Sequence, residues 1–303
     1  MDYSRYLINF DTDELEHVYS DVIIIGSGIA GVYTSLSVDS KYKVNILTKE
    51  KVEISNSVLA QGGIAVSLDK KDSPEMHMRD TLYAGAGLCN EETVRILVNE
   101  AAVNIGTLCN YGVEFDKSTK GDNTLALSRE AAHSTNRIIH AGDATGKEVC
   151  DKLIHTASLH DNIRINEQIW VLDLLVKDGV CYGVIAYDEK EGRHKVFYAG
   201  LTICASGGYG NLYKYTTNPE VSTGDGAAFS FRAGAELMDM EFVQFHPTVL
   251  YHKENRSFLI SEAVRGDGAV LRNSRGERFM PSYHELAELA PRDVVARSIF
   301  VEM

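Results

Sequence analysis

The arrangement of apolar residues along this chain predicts both buried strands and helices. The continuous apolar run at residues 22–25 is typical of a strand buried on both faces of a parallel sheet, a second strand is predicted at residues 44–47, and a helix is predicted between them from residue 29. Further helices are predicted at residues 73–86, 91–111 and 145–159. Shorter runs predict strands at residues 163–166, 169–177, 180–188 and 195–199, with Asp178-Gly179 as a turn, and a strand from residue 201 that ends in the paired glycines 207–208. This order of elements predicts an α/β fold.

The sheet-forming pattern ends before the chain does. Strand-like runs fade after about residue 235, so we expect one domain over residues 1–239 and a second over residues 240–303. With 303 residues, of which 44% are hydrophobic and only five are proline, the chain can form one large core or two modest ones.

A glycine-rich turn follows the first apolar run directly. Gly26-Ser27-Gly28-Ile29-Ala30-Gly31 has the G-x-G-x-x-G spacing of a dinucleotide site. In such a site the first glycine permits the tight turn, the second lets backbone approach a pyrophosphate, and the third lets the helix pack on the sheet. The phosphate charge meets the free N–H groups and positive dipole end of the helix. An ordinary strand-to-helix turn is the competing interpretation.

The residues after the second strand leave the identity of the nucleotide open. An acidic residue that binds the ribose is expected about 20 residues after the glycines, where the chain has Thr48-Lys49-Glu50. Either Glu50 makes this contact, or Lys49 and its backbone serve the adenosine differently. A lysine there would also suit the 2′-phosphate of NADP. Gly62-Gly63 would let a loop lie against a flat or charged ligand, and Gly207-Gly208 should return to the same cofactor.

Composition argues against several classes of partner. The net charge of −13 disfavours nucleic acid and anionic membranes, and no segment approaches the roughly 20 apolar residues of a transmembrane helix. Residues 1–20 are polar and acidic, unlike a signal peptide, so we expect a cytoplasmic protein. Five cysteines without C-x-x-C spacing fit buried thiols in a reducing compartment, and the histidines form no metal motif. Local arginines can still bind an anionic small substrate, because the overall field is screened beyond ~8 Å.

Seven ordered motifs resemble those of one flavoprotein family. They are residues 26–31, 60–65, 205–208, 224–226, 244–248, 265–268 and 290–297. This is the order found in the family of succinate dehydrogenase, fumarate reductase and L-aspartate oxidase, and residues 128–134 and 216–219 favour the aspartate oxidase branch. The resemblance covers nearly the whole chain. It implies a Rossmann-like FAD-binding domain over residues 1–239, followed by the start of an α+β capping domain.

The resemblance implies FAD as the cofactor, bound without a covalent link. Membrane-bound relatives tether their flavin through a histidine in the loop before residue 60, and Asn56 stands at the corresponding place here. The residues that match the family's FAD contacts are Gly26, Ser27, Gly28, Ala30, Gly31, Lys49, Ser55, Ser57, Ala60, Gln61, Gly62, Gly63, Trp170, Val171, Ala205, Gly207, Gly208 and Asp225.

The same resemblance implies a dicarboxylate site that includes the second domain. Arg292 matches the catalytic arginine of the family. The other positions that match catalytic residues are Arg265, Glu262 and His246, and those that match substrate contacts are Glu130, Gln244, Thr248 and Ser261.

Plainer alternatives exist for these side chains. Arginine is normally too basic to act as a base, with a pKa above ~12, so Arg292 needs cationic neighbours or a carboxylate relay; otherwise it is an electrostatic clamp or caps a helix. His246 before a proline also fits an ordinary strand end. Arg265 also fits a surface ion pair with Asp267 or Glu262.

Glu130 is the residue that would separate amine substrates from simple dicarboxylates. In the oxidase branch a glutamate at this place is expected to face the substrate ammonium, a group that succinate lacks. The alternative is an ion pair with Arg129 or Arg137 on a solvated loop.

The resemblance implies FAD-dependent oxidation of L-aspartate to iminoaspartate, with reoxidation by oxygen or fumarate, as the first step of quinolinate and NAD biosynthesis. Quinolinate synthase would act downstream. The alternatives are a soluble fumarate reductase or succinate dehydrogenase flavoprotein subunit, and an FAD-binding fragment without turnover. Family motifs expected after Arg292 are missing, and residues 297–303 resemble an interrupted helix. We therefore expect a C-terminal truncation with very low aspartate turnover.

Overall fold

The computed structural model describes residues 4–119, 124–251 and 258–303. Internal contacts divide the chain into two compact units, the first formed by Met1–Leu59 and Val149–Phe242 and the second by Ala60–Glu148 and Val243–Met303. The predicted boundary at residue 239 lies close to the last transition between units, whereas residues 60–148 belong to the second unit. The division into an FAD-binding and a capping domain remains a prediction.

The strands follow the predicted pattern closely. In chain order they are β1 Glu16–Tyr19, β2 Val22–Ile25, β3 Val44–Thr48, β4 Ile64–Ala65, β5 Ile138–Ile139, β6 Ile163–Glu167, β7 Ile169–Lys177, β8 Val180–Asp188, β9 Arg193–Tyr198, β10 Leu201–Cys204, β11 Val249–Leu250 and β12 Phe258–Leu259. The strands predicted at residues 169–177 and 180–188 are confirmed to the residue, and the strand predicted from residue 201 ends at Cys204, before the paired glycines. The pattern does not predict β1, because most of its residues are exposed.

The helices predicted from residues 29, 73, 91 and 145 are also confirmed. In chain order the α-helices are α1 Ile29–Ser37, α2 Pro74–Ala84, α3 Glu91–Asn110, α4 Thr145–Ser158, α5 Asp225–Arg232, α6 Ala263–Gly266 and α7 Arg292–Glu302. Short 3-10 turns cover Thr12–Glu14, Gly210–Leu212, Met280–Ser282 and Ala287–Leu289. Ser73 shows why α2 begins where it does, since its Oγ accepts the Met76 N–H at 3.2 Å and Pro74 follows it.

A parallel sheet forms the base of the first unit. Its strand order is β10-β2-β3-β6, and β10 pairs with β2 in the register Leu201↔Val22 to Cys204↔Ile25. All residues of β2 and β3 are buried, as the apolar run of β2 predicts; in β3 the burial includes the polar residues Asn45 and Thr48. The strand before Gly207-Gly208 therefore ends beside the strand before Gly26, as predicted.

A second, mixed sheet with the order β1-β9-β8-β7 completes the first unit. Strands β7 and β8 form an antiparallel hairpin in which Lys177 pairs with Val180. The turn residues Asp178 and Gly179 have φ values of 52° and 77°, the left-handed conformation that a two-residue hairpin turn requires. Apolar residues of both sheets pack together with Phe229 from α5 in one buried cluster.

The second unit is mainly helical in its described part. Helix α2 packs against α3, and two short antiparallel pairs, β4 with β5 and β11 with β12, brace the loops between helices. Phe279, Met280, Ala290 and Val295 form a small buried core beside α7. This core fixes the start of α7 against the turns that precede it.

All five cysteines have free thiols. Cys150 is buried, whereas Cys109 and Cys204 are exposed, so the expectation that the thiols are buried is wrong for these two. Among the described residues, no helix combines the length and apolar character needed to cross a membrane.

Candidate functional site

A cavity of about 460 Å³ opens in the first unit at the carboxyl ends of β2, β3 and β10. Because β3 and β10 lie on opposite sides of β2, this is the point where the strand order reverses, the usual ligand site of an open α/β sheet. We call it the strand-end cavity. The sequence-predicted cofactor residues that line it are Gly26, Ser27, Gly28, Ala30, Lys49, Ser55, Ser57, Val171, Ala205, Gly207 and Asp225.

Two glycines of the turn are required by close backbone approach. Gly26 has φ +109°, and a Cβ there would lie 2.3 Å from the Ala205 carbonyl oxygen of the neighbouring strand end. A Cβ on Gly31 would lie 2.0 Å from the Gly26 oxygen, so this glycine lets α1 pack on the sheet. Gly28 caps α1 without a side chain, which leaves the helix N-terminus open to an anion.

Lys49 directs its ammonium group toward the start of α5. Its Nζ donates to Asp225 Oδ2 and to Thr223 Oγ1, both at 2.6 Å, and lies 5.5 Å from the centre of the Trp170 ring. Lys49 lines the strand-end cavity and Glu50 does not. The charge of Lys49 is balanced by Asp225, and which of Lys49 and Glu50 contacts the nucleotide stays a prediction.

Side chains around Asn56 complete the cavity wall. Asn56 Nδ2 donates to Ser222 Oγ at 2.7 Å, and the Ile29 N–H donates to Ser57 Oγ at 3.1 Å. Val221 and Ser222 also line the cavity. Sequence reasoning missed these two residues, because nothing in a Val-Ser pair marks a ligand contact before tertiary folding brings it there.

The remaining predicted cofactor residues lie elsewhere. Gly31 and Gly208 are not among the residues lining the cavity, and neither is Trp170, whose indole N–H donates to Glu189 Oε2 at 3.2 Å. Ala60, Gln61, Gly62 and Gly63 belong to the second unit. There a Cβ on Gly63 would lie 2.2 Å from the Ile139 oxygen, so this glycine is required by the pairing of β4 with β5. Cofactor contacts by these residues remain predictions.

In the second unit, a buried carboxylate joins two arginines. Glu262 Oε2 accepts Arg292 Nε at 2.5 Å and lies 3.7 Å from an Arg265 terminal nitrogen, while Oε1 accepts the Ala131 N–H at 3.0 Å. Arg292 also donates to Gln244 Oε1 at 2.9 Å. Helices α6 and α7 supply Arg265 and Arg292, and Glu262 immediately precedes α6. We call Glu130, Glu262, Arg265 and Arg292 the charged cluster.

Arg265 is buried and only partly satisfied. One terminal nitrogen donates to the Glu288 carbonyl at 2.6 Å, but Nε and the other terminal nitrogen have no hydrogen-bond partner among the described residues. Burial lowers the pKa of the Arg265 guanidinium, and the neighbouring charge of Arg292 adds to this, against the opposing effect of Glu262. The alternative of a surface ion pair is wrong, because the side chain is 3% exposed.

Glu130 lies close to the other charged residues of the cluster. Burial raises the pKa of its carboxyl, and the charge of Glu262 adds to this, while Arg292 and the Gly63 N–H oppose the shift. The alternative partners are engaged elsewhere: Arg129 donates to the His133 carbonyl, and Arg137 is bound to Asp72 and Asp80.

His246, Thr248 and Ser261 make local contacts at the edge of the cluster. His246 Nδ1 lies 2.9 Å from the Thr248 carbonyl oxygen, Thr248 Oγ1 donates to the Ile260 carbonyl at 3.0 Å, and Ser261 Oγ accepts the Ala263 N–H at 3.3 Å. Burial lowers the pKa of His246, with the charges of Arg292 and Arg265 acting in the same direction. This imidazole therefore favours its neutral form.

The FAD binding domain family matches residues 21–303. The chain belongs to this family of flavoproteins. It is 45% identical over 289 residues to L-aspartate oxidase 1 of Ralstonia nicotianae, covering 93% of this chain and 54% of the relative. It is 46% identical over 282 residues to L-aspartate oxidase of a Nostoc species, covering 92% of this chain and 48% of the relative. The chain thus spans about half the length of the curated relatives it matches.

Solved structures agree with this family membership. The flavoprotein of E. coli quinol fumarate reductase superposes with a TM-score of 0.90 at 30% identity, over 95% of this chain and 51% of that chain. FAD is the cofactor of the family, so the alternative of NADP is set aside. The strand-end cavity suits it, because the N-terminus of α1 has no side-chain cap at Gly28 and a Cβ on Gly207 would meet no atom within 4 Å, which leaves both backbone segments open to a pyrophosphate.

Proposed function

We propose that this chain carries the FAD-binding part and a portion of the substrate site of an L-aspartate oxidase, which converts L-aspartate to iminoaspartate. The two L-aspartate oxidases quoted above support this activity. The proposal further assigns FAD to the strand-end cavity. When bound, FAD would accept the hydride that leaves the substrate α-carbon.

The position of Glu130 carries the choice of an amine substrate. A dicarboxylate needs cations, and Arg292 together with the unpartnered N–H groups of Arg265 supplies them. An ammonium group needs an acceptor of opposite charge. Glu130 is half-buried near Glu262 and, among the described residues, makes no ion pair with a lysine or arginine. Partial burial disfavours the ionised form of this carboxyl, and the ammonium of L-aspartate would offset that effect.

The Glu262 carboxylate suggests how a proton moves. Oxidation of the bound ammonium to the iminium form of the product removes a hydride from the α-carbon and one proton from nitrogen. We assign that proton to Arg292, which can accept it only after passing its own Nε proton to Glu262 Oε2, 2.5 Å away. Arg265, 3.7 Å from the same oxygen, stabilises the negative charge of Glu262 between transfers. His246, Gln244, Thr248 and Ser261 are assigned to holding a substrate carboxylate.

The loop before residue 60 supports non-covalent cofactor binding. The Asn56 carboxamide is held by Ser222 and offers no nucleophile comparable to an imidazole nitrogen. We assign reoxidation to oxygen or fumarate, and we place the reaction before a quinolinate synthase, which would consume iminoaspartate on the way to NAD.

A second candidate, a fumarate reductase or succinate dehydrogenase flavoprotein subunit, is favoured by the likeness to the E. coli structure. A third, an FAD-binding piece without turnover, is consistent with a chain that spans about half of its relatives. Anaerobic reduction of the bound flavin distinguishes the three. Bleaching of the flavin absorbance by L-aspartate but not by succinate supports the oxidase, and bleaching by succinate alone supports the second candidate.

Two further observations complete this test. Free flavin released on denaturation with acid supports non-covalent binding, whereas flavin that stays with the precipitate contradicts it. Bound flavin that neither substrate bleaches supports the third candidate and contradicts the assignment of turnover to this chain.

A further inference from the structure

A short loop places Glu130 near the other three residues of the charged cluster. It is closed at its base by two hydrogen bonds between Ser128 and Ile138, of 2.9 and 3.0 Å. Inside the loop, Arg129 Nε donates to the His133 carbonyl at 2.7 Å, and the His133 N–H reaches the Glu130 carbonyl at 3.4 Å. We call residues 128–138 the Glu130 loop. Its internal bonds are few, so its position depends on what holds it from outside.

Arg137, next to the base of this loop, ties it to Asp80 on helix α2 and to Asp72 just before that helix. The side chain is fully buried and forms a fork with Asp72, with Nε donating to Oδ2 at 2.9 Å and a terminal nitrogen to Oδ1 at 2.8 Å. The other terminal nitrogen donates to Asp80 Oδ2 at 2.6 Å. The same Asp80 oxygen accepts the Ser134 N–H and hydroxyl, both at 2.8 Å. Two carboxylates beside α2 therefore hold two points of the loop.

His133 links this anchor to the Glu130 turn. Its Nδ1 lies 3.3 Å from the Arg137 nitrogen that also binds Asp80, and His77 packs 5.9 Å from its ring. Burial lowers the pKa of His133 to about 4, with the charge of Arg137 and then His77 adding to the shift, against Asp80 and Glu262. At neutral pH the ring is uncharged, and Nδ1 can accept the Arg137 N–H. Arg137 therefore contacts His133 within the loop, in addition to Asp72 and Asp80 outside it.

Arg137 makes no direct contact with Glu130. The two residues lie on the same loop, so Arg137 can affect Glu130 only through the position of that loop. We infer that Arg137 is a positioning residue for substrate choice, holding the Glu130 loop so that the Glu130 carboxylate faces the ammonium of an amino dicarboxylate. This inference rests on the proposed function. Lysine at position 137 would keep the charge but lose the planar fork that binds Asp72, Asp80 and His133 together.

The test compares Arg137→Lys with a matched control, Arg275→Lys, which alters an exposed pair with Glu277 in the same unit. We expect Arg137→Lys to reduce kcat/KM for L-aspartate at least tenfold while succinate or fumarate turnover changes less than twofold. In a Glu130→Gln background, Arg137→Lys should have little further effect on L-aspartate. Equal loss for all substrates, or an undiminished effect in the Glu130→Gln background, would overturn the inference.

A readout without turnover separates this inference from the proposed function. The Glu130 carboxyl titration can be followed by carbon-13 NMR and assigned by its loss in Glu130→Gln. Its midpoint should move toward the ordinary glutamate value in Arg137→Lys and stay unchanged in Arg275→Lys. If neither aspartate nor succinate is oxidised, such a shift still supports the positioning role, and no shift contradicts it.

Ser134→Ala keeps the test decisive if Arg137→Lys does not fold. Ser134 is exposed, and its substitution removes only the hydroxyl bond to Asp80. We expect a two- to threefold loss of preference for L-aspartate over succinate, with the same direction of shift in the Glu130 titration. An unchanged preference together with an unchanged titration would overturn the inference.

Discussion

Backbone geometry shapes the strand-end cavity of the first unit, whereas charged side chains make the cluster of the second. Gly26 and Gly31 matter because no other residue leaves room for the neighbouring backbone. Glu262, Arg265 and Arg292 matter because each balances the others in a partly buried setting. The first region should therefore respond strongly to added volume and weakly to lost charge, and the second should respond in the opposite way.

The largest effect is expected from Glu262→Gln. The variant removes the charge that joins Arg265 and Arg292, so turnover with L-aspartate should fall more than a hundredfold. The free energy of unfolding should fall by about 2–3 kcal/mol, because the buried guanidinium of Arg265 then lies near that of Arg292 without the Glu262 carboxylate to balance the two charges. Steady-state kinetics and urea unfolding measure the two losses. Glu277→Gln, at an exposed ion pair, is the control and should leave both unchanged.

Gly26→Ala should abolish tight FAD binding with a smaller effect on the second unit. The added methyl group meets the Ala205 oxygen at 2.3 Å, and the φ of +109° is strained for alanine. Overpacking of this kind costs roughly 1–3 kcal/mol, to which the strain adds. Flavin fluorescence titration measures the affinity. Gly106→Ala, where a Cβ meets no atom within 4 Å, should bind FAD normally and gain about 0.5–1 kcal/mol of stability.

Glu130→Gln tests whether the second region distinguishes substrates by charge. Loss of a charge-assisted bond to the ammonium should cost about 1.5–3 kcal/mol for L-aspartate, or roughly ten- to a hundredfold in kcat/KM. Fumarate has no ammonium and should be reduced at nearly the wild-type rate. Equal damage to both reactions would return Glu130 to a structural role.

The effect of the same substitution on stability should depend on pH. Because the folded pKa of Glu130 is raised, the native protein loses stability as pH rises from the ordinary glutamate value through the raised one. Glu130→Gln removes this loss, so its stability relative to wild type should be higher at pH 8 than near pH 4. Thermal unfolding across this range measures the difference, and a difference independent of pH would contradict the assignment.

The smallest effect is expected from Lys49→Met. This change removes a charge from the strand-end cavity, where backbone contacts dominate recognition. Because its partner Asp225 is partly exposed, the pair should contribute about 1 kcal/mol or less, and FAD affinity should fall less than tenfold. A hundredfold loss of affinity would show that charge governs cofactor binding and would break the contrast between the two regions.

Local patterns predicted most elements of this fold. Val22–Ile25 is apolar throughout and Val44–Thr48 is mostly apolar because both faces of a parallel sheet are covered, and that composition is visible in the sequence. The hairpin turn at Asp178-Gly179 could also be predicted from the sequence, since its two residues must adopt positive φ and few residue types other than glycine, asparagine and aspartate do so. Glu16–Tyr19 escaped prediction, because an exposed strand that pairs at a sheet edge carries no hydrophobic signature.

The charged cluster shows where sequence reasoning stops. Motif order picked out Glu130, Glu262, Arg265 and Arg292, but it left Arg265 open to a surface ion pair and Glu130 open to a pair with Arg129 or Arg137. Burial decides the first question and competing hydrogen bonds decide the second. The burial of Arg265 and the hydrogen-bond partners of Arg129 and Arg137 cannot be predicted from spacing along the chain, because they depend on residues that only folding brings together.

The sequence by itself determined the buried strands, the glycine turn between β2 and α1, and the family to which the chain belongs. Those features depend on the period of apolar residues and on positions that only glycine can occupy. Tertiary structure alone decided that Lys49 meets Asp225 and that Arg137 anchors the Glu130 loop. Such contacts join residues far apart in the chain, and folding selects them by desolvation and hydrogen-bond geometry, which no local pattern records.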